Sequence, residues 1–525
     1  MAPPRARQAS RSTARAPLPW PATITAAVLG VAALAAVVRL WRSSPFQAAA
    51  SYDDGVYGQT LLAVADGQRL YHDVFQAQPP LFIALFSLPV RLGAGLGGAR
   101  AAMLLVWLCL AVGTGLLARR LAGTAAGLLA VAAFVAVPLN RVNAVTLGAD
   151  VPAAAAGTFA LLAALAAIDA ATPARRRGWA LAAGVLVVAG TAVKVSALTL
   201  APAVVVALLL ARGRARWSAL GWAGLGGVAA GLLAVAAFRP DGVMWDQVVS
   251  FHTDAAESGF PGEGTAFLFK PGFVWLWRIW LAAVAGSLVG CAVLVWDLQR
   301  LRGRRPAAAD ESSPDGQRST ALEARVRTAA WAGAALTVAC AAVFTLRFEP
   351  LFMHQLLLYL PASCAAAAGG LVLVLRAALR PLRGGERLVL APVAVLTCLV
   401  TLVAVAAEPV RPAPTSRAVQ CLQALRLEGP VVTDDQPLIT RAGLRATPWL
   451  ADTSSVRILS GYLTRSEVEQ AAESSVGAVV AKPGRFTLRL PGTLERLQER
   501  WPLTVDLPGH RVLLPAGTPV PRACR

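Results

Sequence analysis

Charge is scarce in this chain: 15% of its 525 residues are Asp, Glu, Lys or Arg, against 56% that are hydrophobic. That shortage, together with a mean hydropathy of +0.58 and repeated apolar runs longer than about 18 residues, excludes a soluble globular, collagen-like or disordered chain. Lysine is rarest, at positions 194, 270 and 482 only, so arginine carries the formal net charge of +20. The arginines sit in short segments between apolar runs, the bias of cytoplasmic loops in a polytopic membrane protein, and need no nucleic acid to explain them. Seven cysteines are too few and too scattered for a stapled scaffold. Cys109, Cys291, Cys340, Cys364 and Cys398 lie in apolar spans, where cysteine behaves as a small hydrophobe. Cys421 and Cys524 bracket the one long polar region, and a disulfide between them is open if that region faces an oxidising compartment. Of the four histidines, neither His252 nor His354 has a second His or Cys three or four residues away, so both read as structural rather than zinc-binding. His72 and His510 carry no stronger signal. A Walker loop, a glycine fingerprint, a GxSxG elbow and an HExxH pair are all missing from the sequence.

What is present is a succession of spans. Arg5, Arg7, Arg11 and Arg15 precede an apolar stretch from Pro21 to Leu40, which exceeds the roughly 7–15 apolar residues of a signal peptide. It reads as an uncleaved first span with residues 1–20 inside. Further spans fall at Ala99–Ala118, Leu121–Leu139, Val151–Ala170, Trp179–Ala192, Val195–Ala211, Trp217–Phe238, Phe273–Val295, Ala329–Leu346, Leu356–Leu375 and Leu388–Ala407, making eleven within a transmembrane domain of residues 21–407. This count places the clusters at Arg119–Arg120, Arg175–Arg177, Arg212–Arg216, Arg300–Arg327 and Arg380–Arg387 on the cytoplasmic side, as the positive-inside bias requires. The stretch Pro79–Gly98 is apolar but interrupted by Pro89 and Arg91, and reads as a re-entrant or interfacial helix. Pro306–Ser319 reads as a flexible linker. Outer loops then occupy residues 43–98, 140–150, 239–272 and 347–355, followed by an extracytoplasmic domain over 408–525.

That domain has the pattern of a small α/β unit. A helix is expected from Thr415 to Leu425, a strand from Pro430 to Val432, a helix opened by the capping box of Thr464 and Glu467, a strand from Gly477 to Ala481, a helix from Leu494 to Arg500, and closing strands at Leu503–Asp506 and Arg511–Leu514. Strands alternating with helices favour a partly parallel sheet covered by helices. Asp434 and Asp435 read as a solvated turn at a strand end.

The outer face is where chemistry is concentrated. The first outer loop opens Ser51-Tyr52-Asp53-Asp54-Gly55-Val56-Tyr57, and adjacent acids repel, so a site holding both needs a cation or a raised pKa. One acid could take a proton from an acceptor hydroxyl while the other orients it or holds a divalent metal; the plainer reading is a solvated helix N-terminus. Asp66-Gly67-Gln68-Arg69-Leu70-Tyr71-His72-Asp73 and Gln78-Pro79-Pro80-Leu81-Phe82 give this loop more polar and aromatic groups than a connector requires. Asp150 stands at the mouth of a span, as a functional acid or as a helix N-cap. Lys194, at an outer turn, and Arg278, about one turn inside a span, could meet a lipid phosphate or simply snorkel. Lys270, Arg347 and His354 form a further outer-edge set for phosphate.

The run from Tyr52 to Tyr57, followed by Gly67, Tyr71, Asp73 and Pro79-Pro80-Leu81-Phe82, resembles the first outer loop of the GT-C membrane glycosyltransferases, in the branch of the protein O-mannosyltransferases and the lipid A aminoarabinose transferases. Asp150, Lys194 in Val193-Lys194-Val195-Ser196, and His354 in Pro350-Leu351-Phe352-Met353-His354 extend the likeness over Pro21 to Ala407. Ala77 and Gln78 depart from it, standing where the branch often has a charged residue before Pro-Pro. The resemblance implies a GT-C-type polytopic helical fold, a polyprenyl-phosphate monosaccharide donor and a protein, lipid or glycan acceptor. It also implies catalytic Asp53 and Asp54; joined to the positions of the cations, it gives donor phosphate contacts from Lys194, Arg347, Arg278 and His354. The remaining candidate substrate contacts are Tyr57, Tyr71, Asp73, Gln78, Asp150 and His252. A divalent metal (Mg, Mn or Zn) would fall to Asp53, Asp54 and Asp150. Arginine in place of lysine and abundant alanine suit a GC-rich bacterial genome, which would make the location the cytoplasmic membrane. A lid over the site is expected from Ser43–Gly98 and Asp241–Phe269, with Gly259, Gly262 and Gly264 for flexibility. Two rival classes, a transporter or flippase of lipid-linked sugars and a membrane scaffold for the outer domain, predict mid-membrane charges and a dispensable Asp53 respectively.

Overall fold

The computed structural model describes residues 51–259, 274–303, 314–347, 351–379 and 416–525. The expected spans Pro21–Leu40 and Leu388–Ala407 lie outside the described residues, as do Lys270, Gly262 and Gly264. The helical part runs α1 (Tyr52–Ala65), α2 (Leu81–Pro89), α3 (Gly95–Ala122), α4 (Thr124–Ala136), α5 (Asp150–Asp169), α6 (Pro173–Val193), α7 (Ala201–Leu209), α8 (Ala215–Phe238), α9 (Phe251–Glu257), α10 (Val274–Gly303), α11 (Pro314–Arg347) and α12 (Leu360–Leu379). Among the described residues five helices are long and apolar enough to cross a membrane, α2 being counted with α3.

The expected re-entrant stretch is the nine-residue α2, joined to α3 through a kink in which Gly93 and Gly95 adopt positive φ. Nine residues rise about 14 Å, less than half of a hydrocarbon core of about 30 Å, so α2 is not a span by itself. Two boundaries move. The span expected at Val195–Ala211 opens with a tight 3₁₀ turn, Val195–Leu200, before α7. Helix α11 starts at Pro314, so the end of the expected linker is helical; proline is compatible with a first helical turn, where its missing N–H costs nothing.

Small residues let the helices approach closely. A Cβ on Gly184 of α6 would lie 1.8 Å from the Ala223 carbonyl of α8, and one on Gly286 of α10 would lie 2.2 Å from the Ala366 carbonyl of α12. Backbone contact of this kind is how helices associate where lipid leaves little hydrophobic driving force between them. On its other side α8 exposes Trp217, Leu225, Leu232 and Leu233.

The C-terminal part contains α13 (Arg417–Leu425), β1 (Pro430–Thr433), α14 (Gln436–Ala442), β2 (Arg445–Ala446), α15 (Ser455–Leu459), α16 (Arg465–Glu473), β3 (Ala478–Ala481), α17 (Arg485–Arg489), α18 (Thr493–Arg500), β4 (Leu503–Leu507) and β5 (His510–Leu514). The strand order is β2-β1-β3-β5-β4. β1 runs parallel to β2 and β3, while β5 is antiparallel to β3 and β4, with Val479 opposite Val512 and Val505 opposite Val512. The capping box forms: Thr464 accepts from the Glu467 N–H, and the Glu467 carboxylate accepts from the Thr464 N–H. Cys421 and Cys524 are disulfide-bonded, tying the chain's end to α13.

Asp434 is not the solvated turn residue expected from its place in the sequence. It is 1% exposed and accepts the N–H groups of Ala481 and Phe486, so it stitches β1 to β3 and α17. Asp435 caps α14 through the Leu438 N–H and meets His510 Nε2 at 2.8 Å. The Asp435 hydrogen bond and charge hold the His510 imidazole above its ordinary value. Burial works to raise the Asp435 carboxyl, but His510 and the Leu438 N–H outweigh it and leave it below its ordinary value. The histidine's contribution is therefore complete below its unfolded value of about 6.5 and lost as pH rises through the raised one. The carboxylate's is complete above about 3.9 and lost as pH falls through the lowered one. His510→Gln is expected to cost most stability between about pH 4 and 6.5. Thermal unfolding of both chains from pH 4 to 9 checks this, and a gap that widens toward pH 9 would contradict it.

Helix α14 seats this sheet unit on α1. Gly55 of α1 is in contact with α14, where a Cβ would lie 2.4 Å from Pro437 N. One turn on, the fully buried Gln59 donates to Thr440 Oγ1 (2.8 Å) and the Leu444 carbonyl (3.1 Å) and accepts from the Ala446 N–H (2.8 Å).

Candidate active site

Helix α1 starts at a Ser51 N-cap whose hydroxyl accepts from the Asp54 N–H. Successive residues on a helix diverge by about 100°, so the two acids of its first turn face different surroundings. Asp54 turns into the bundle and is fully buried. Arg100 of α3 grips it through Nε (3.3 Å) and Nη2 (2.8 Å), and the Leu147 N–H donates to it at 2.7 Å. The cation that an adjacent acidic pair needs is thus supplied from α3, to Asp54 alone. Asp54 accordingly ties α1 to α3 and to the segment around Leu147 and does not reach the cavity, which leaves Asp53 as the accessible carboxylate of the pair.

Asp53 opens onto a cavity of about 490 Å³ between the helices and the sheet unit. Its side chain is 47% exposed, and Oδ2 lies 3.3 Å from His354 Nδ1. The other ring nitrogen of His354 lies 4.0 Å from Asp150 Oδ2. Asp150 is the first residue of α5 but does not cap it; Ala149 holds the cap position. Its carboxylate instead accepts from Lys194 Nζ at 2.7 Å, both side chains being more than nine-tenths buried. Lys194 projects from the end of α6, where its backbone is extended. Four residues far apart in sequence thus form a line, Asp53, His354, Asp150 and Lys194, along one wall.

Tyr57 and Gln78 also line the cavity, and Tyr57 packs edge-on against Phe82 with ring centroids 4.9 Å apart. His252 lines it too, with Nε2 bonded to the Ala77 carbonyl at 2.8 Å. Since a carbonyl only accepts, that nitrogen carries the proton, and burial holds the imidazole below its ordinary value. Other expected contacts fall elsewhere. Tyr71 is buried and donates to the Gln78 carbonyl at 2.8 Å, shaping the loop from within. Asp73 binds Arg69 on the surface, through its backbone N–H at 2.8 Å and guanidinium Nη2 at 3.1 Å. Arg278 and Arg347 are exposed and absent from the cavity lining. The three carboxylates expected to share a metal do not converge, because Asp54 is drawn off by Arg100 and Asp150 is engaged by Lys194. Among the described residues no group of three His, Cys, Asp or Glu side chains could hold a metal ion.

The opposite wall comes from the sheet unit, and nothing in the sequence marked it: Asp452, Ser454, Ser455, Val456 and Arg485. Tyr52 joins the two parts, donating to Asp452 Oδ1 at 3.2 Å and accepting from the Thr453 N–H at 3.0 Å. Nearby, the buried Arg457 guanidinium lies 4.0 Å from the Phe75 ring centroid and 4.7 Å from that of Trp449, pinning the loop between α1 and α2 to the sheet unit. The described part of the expected lid is folded against the same loop. Gln247 accepts from the Gln76 N–H and donates to the Tyr71 carbonyl, and the Tyr462 hydroxyl of the sheet unit lies within reach of Asp254 (2.9 Å) and Asp246 (3.1 Å), with one proton to give.

No protein-family model and no curated protein matches the chain by sequence. Its fold matches that of ArnT from Cupriavidus metallidurans bound to undecaprenyl phosphate, at 17% identity and a TM-score of 0.58, over 95% of this chain and 99% of ArnT. The apo Archaeoglobus fulgidus oligosaccharyltransferase overlaps 91% of this chain and 72% of its own, at 13% identity and a TM-score of 0.49. The chain therefore shares the fold of ArnT over nearly the full length of both proteins.

Proposed function

We propose that the chain is a membrane glycosyltransferase that moves a monosaccharide from a polyprenyl-phosphate donor to an acceptor hydroxyl at the outer face of the cytoplasmic membrane. The observation that carries this reading is the half-exposed Asp53 carboxylate at the mouth of the cavity, with His354 bridging it toward the Asp150 and Lys194 pair. Asp53 accepts the proton of the acceptor hydroxyl as that oxygen bonds to the anomeric carbon. The bond from that carbon to the phosphate oxygen breaks, polyprenyl phosphate leaves with the electron pair, and the configuration inverts. His354 orients Asp53, and Lys194 lends positive character to the end of the cavity where the phosphate gathers charge. Asp150 holds the Lys194 ammonium in place.

The undecaprenyl phosphate bound to ArnT supports a lipid-linked donor for this chain as well. With eleven spans and the N-terminus inside, the sheet unit and the cavity would lie outside, in keeping with the Cys421–Cys524 disulfide. The test is a panel of radiolabelled polyprenyl-phosphate sugars offered to membranes that contain or lack the chain. At least one donor is expected to be consumed with release of polyprenyl phosphate only where the chain is present. Equal consumption in both membranes across the panel would reject the reading.

A further inference from the structure

Among the described residues two permanent cations line the cavity, and they are held differently. Lys194 is paired with Asp150 at 2.7 Å and is almost wholly buried. Arg485, on the sheet-unit wall, forms no ion pair among the described residues. Its guanidinium carbon lies 3.6 Å from the centroid of the Tyr52 ring, and its Nη1 donates to the Asp434 main-chain carbonyl at 2.7 Å. The Asp434 carboxylate next to it is committed to the N–H groups of Ala481 and Phe486. Asp452, the acid on the same wall, accepts from the Tyr52 hydroxyl and the Ser454 N–H. A planar guanidinium fixed by a ring and one carbonyl, with donors left over at a cavity surface, is suited to a carboxylate or phosphate. Ser454 and Ser455 place hydroxyls on the same wall.

We propose that Arg485 is the anion-binding element of an acceptor subsite built by the sheet unit, and that the acceptor is a hydroxyl-bearing molecule with a phosphate or carboxylate near the hydroxyl that reacts. The inference rests on the transferase reading above and adds the acceptor's chemical class. Tyr52 couples the subsite to the chemistry: its ring lies under Arg485, and it directly precedes Asp53 on α1. An acceptor anion held at Arg485 is therefore tied to the helix turn that carries the base. The donor's lipid phosphate, by contrast, belongs at the Lys194 wall, among the helices.

The test uses the full chain in nanodiscs with three probes: glucose 6-phosphate, glucose and undecaprenyl phosphate. Glucose 6-phosphate is expected to bind the native chain in preference to glucose, in a salt-sensitive manner. Arg485→Gln should weaken that binding roughly ten- to hundredfold, Arg485→Lys should restore part of it, and undecaprenyl phosphate should bind all three chains alike. Thermal unfolding of Arg485→Gln near the native temperature shows that the loss is local. If Arg485→Gln binds glucose 6-phosphate as well as the native chain does, or if the native chain does not distinguish it from glucose, the subsite is rejected. A parallel loss of undecaprenyl phosphate would reassign Arg485 to the donor and equally overturn the proposal. Failure of undecaprenyl phosphate to bind any of the chains would count against the transferase reading instead, while the sugar-phosphate comparison still decides on Arg485.

Discussion

Asp53→Asn is expected to lower sugar transfer by roughly 10²–10⁴-fold, the range of a lost general base, while the chain continues to bind its donor. The amide keeps the size of the carboxylate and can stay beside His354, but it has no basicity with which to take the acceptor's proton. Because Asp53 is 47% exposed and packs against no core, the exchange should leave thermal unfolding within about 0.5 kcal/mol of native, as for other surface substitutions. The measurement follows acceptor labelling and release of polyprenyl phosphate at matched expression. Transfer retained within about tenfold would be less than a base of this kind contributes, and Asp53 would lose its assignment. If donor is still slowly consumed in the variant while acceptor labelling stops, water has replaced the acceptor, which agrees with a base that serves the acceptor hydroxyl.

Arg100→Met should have the second large effect, on folding rather than on turnover. It removes the cation from a fully buried Asp54, and breaking a buried pair from one side costs about 3–5 kcal/mol because the remaining charge is uncompensated. Marginal stabilities of about 5–15 kcal/mol leave little margin for such a loss. The double variant Asp54→Leu/Arg100→Met removes both charges and should recover much of the stability, although the Leu147 N–H then lacks its acceptor at about 1–3 kcal/mol. Thermal unfolding of the three chains in one detergent separates the cases. A single variant as stable as the native chain would show that Asp54 is not held as an ion.

The asymmetry between these two acids explains how much of the site could be read in advance. Hydropathy and the arginine pattern found most of the helices, since each is a property of a contiguous stretch; every one of the nine expected spans in described regions overlaps a helix, but five helices there are long and apolar enough to cross, and Leu121–Leu139 is broken at Gly123 and Val137. The sheet unit was legible for a similar reason, its strands and the Thr464 capping box being local signals. Asp53, Asp150, Lys194 and His354 were named through their resemblance to a known loop pattern, and they do line one cavity. That Asp54 would turn away depends on Arg100, a lone charge near the start of an apolar span. Such a residue is a signal in itself, because an ionisable group in a span needs a partner. Arg485 and Asp452 could not be found this way. They enter the cavity only because α14 docks on α1, and docking between segments nearly four hundred residues apart leaves no periodicity in either. Asp434 misled for the same reason: its solvent is displaced by β3 and α17, which come later in the chain.

The Gln59 contacts also set an order of events. Gln59 belongs to the first described helix, and its partners Thr440, Leu444 and Ala446 are 381 to 387 residues further on. A ribosome adding about 5–20 residues per second leaves tens of seconds between the two, during which the helix bearing Asp53 is already made and can pair with α3 through Asp54 and Arg100 but lacks the sheet unit. A chain cut short before residue 440 would carry every member of the Asp53, His354, Asp150 and Lys194 line and still lack the support beneath its base. The helix that carries Asp53 therefore gains its full set of contacts only once residues 440–446 have been made.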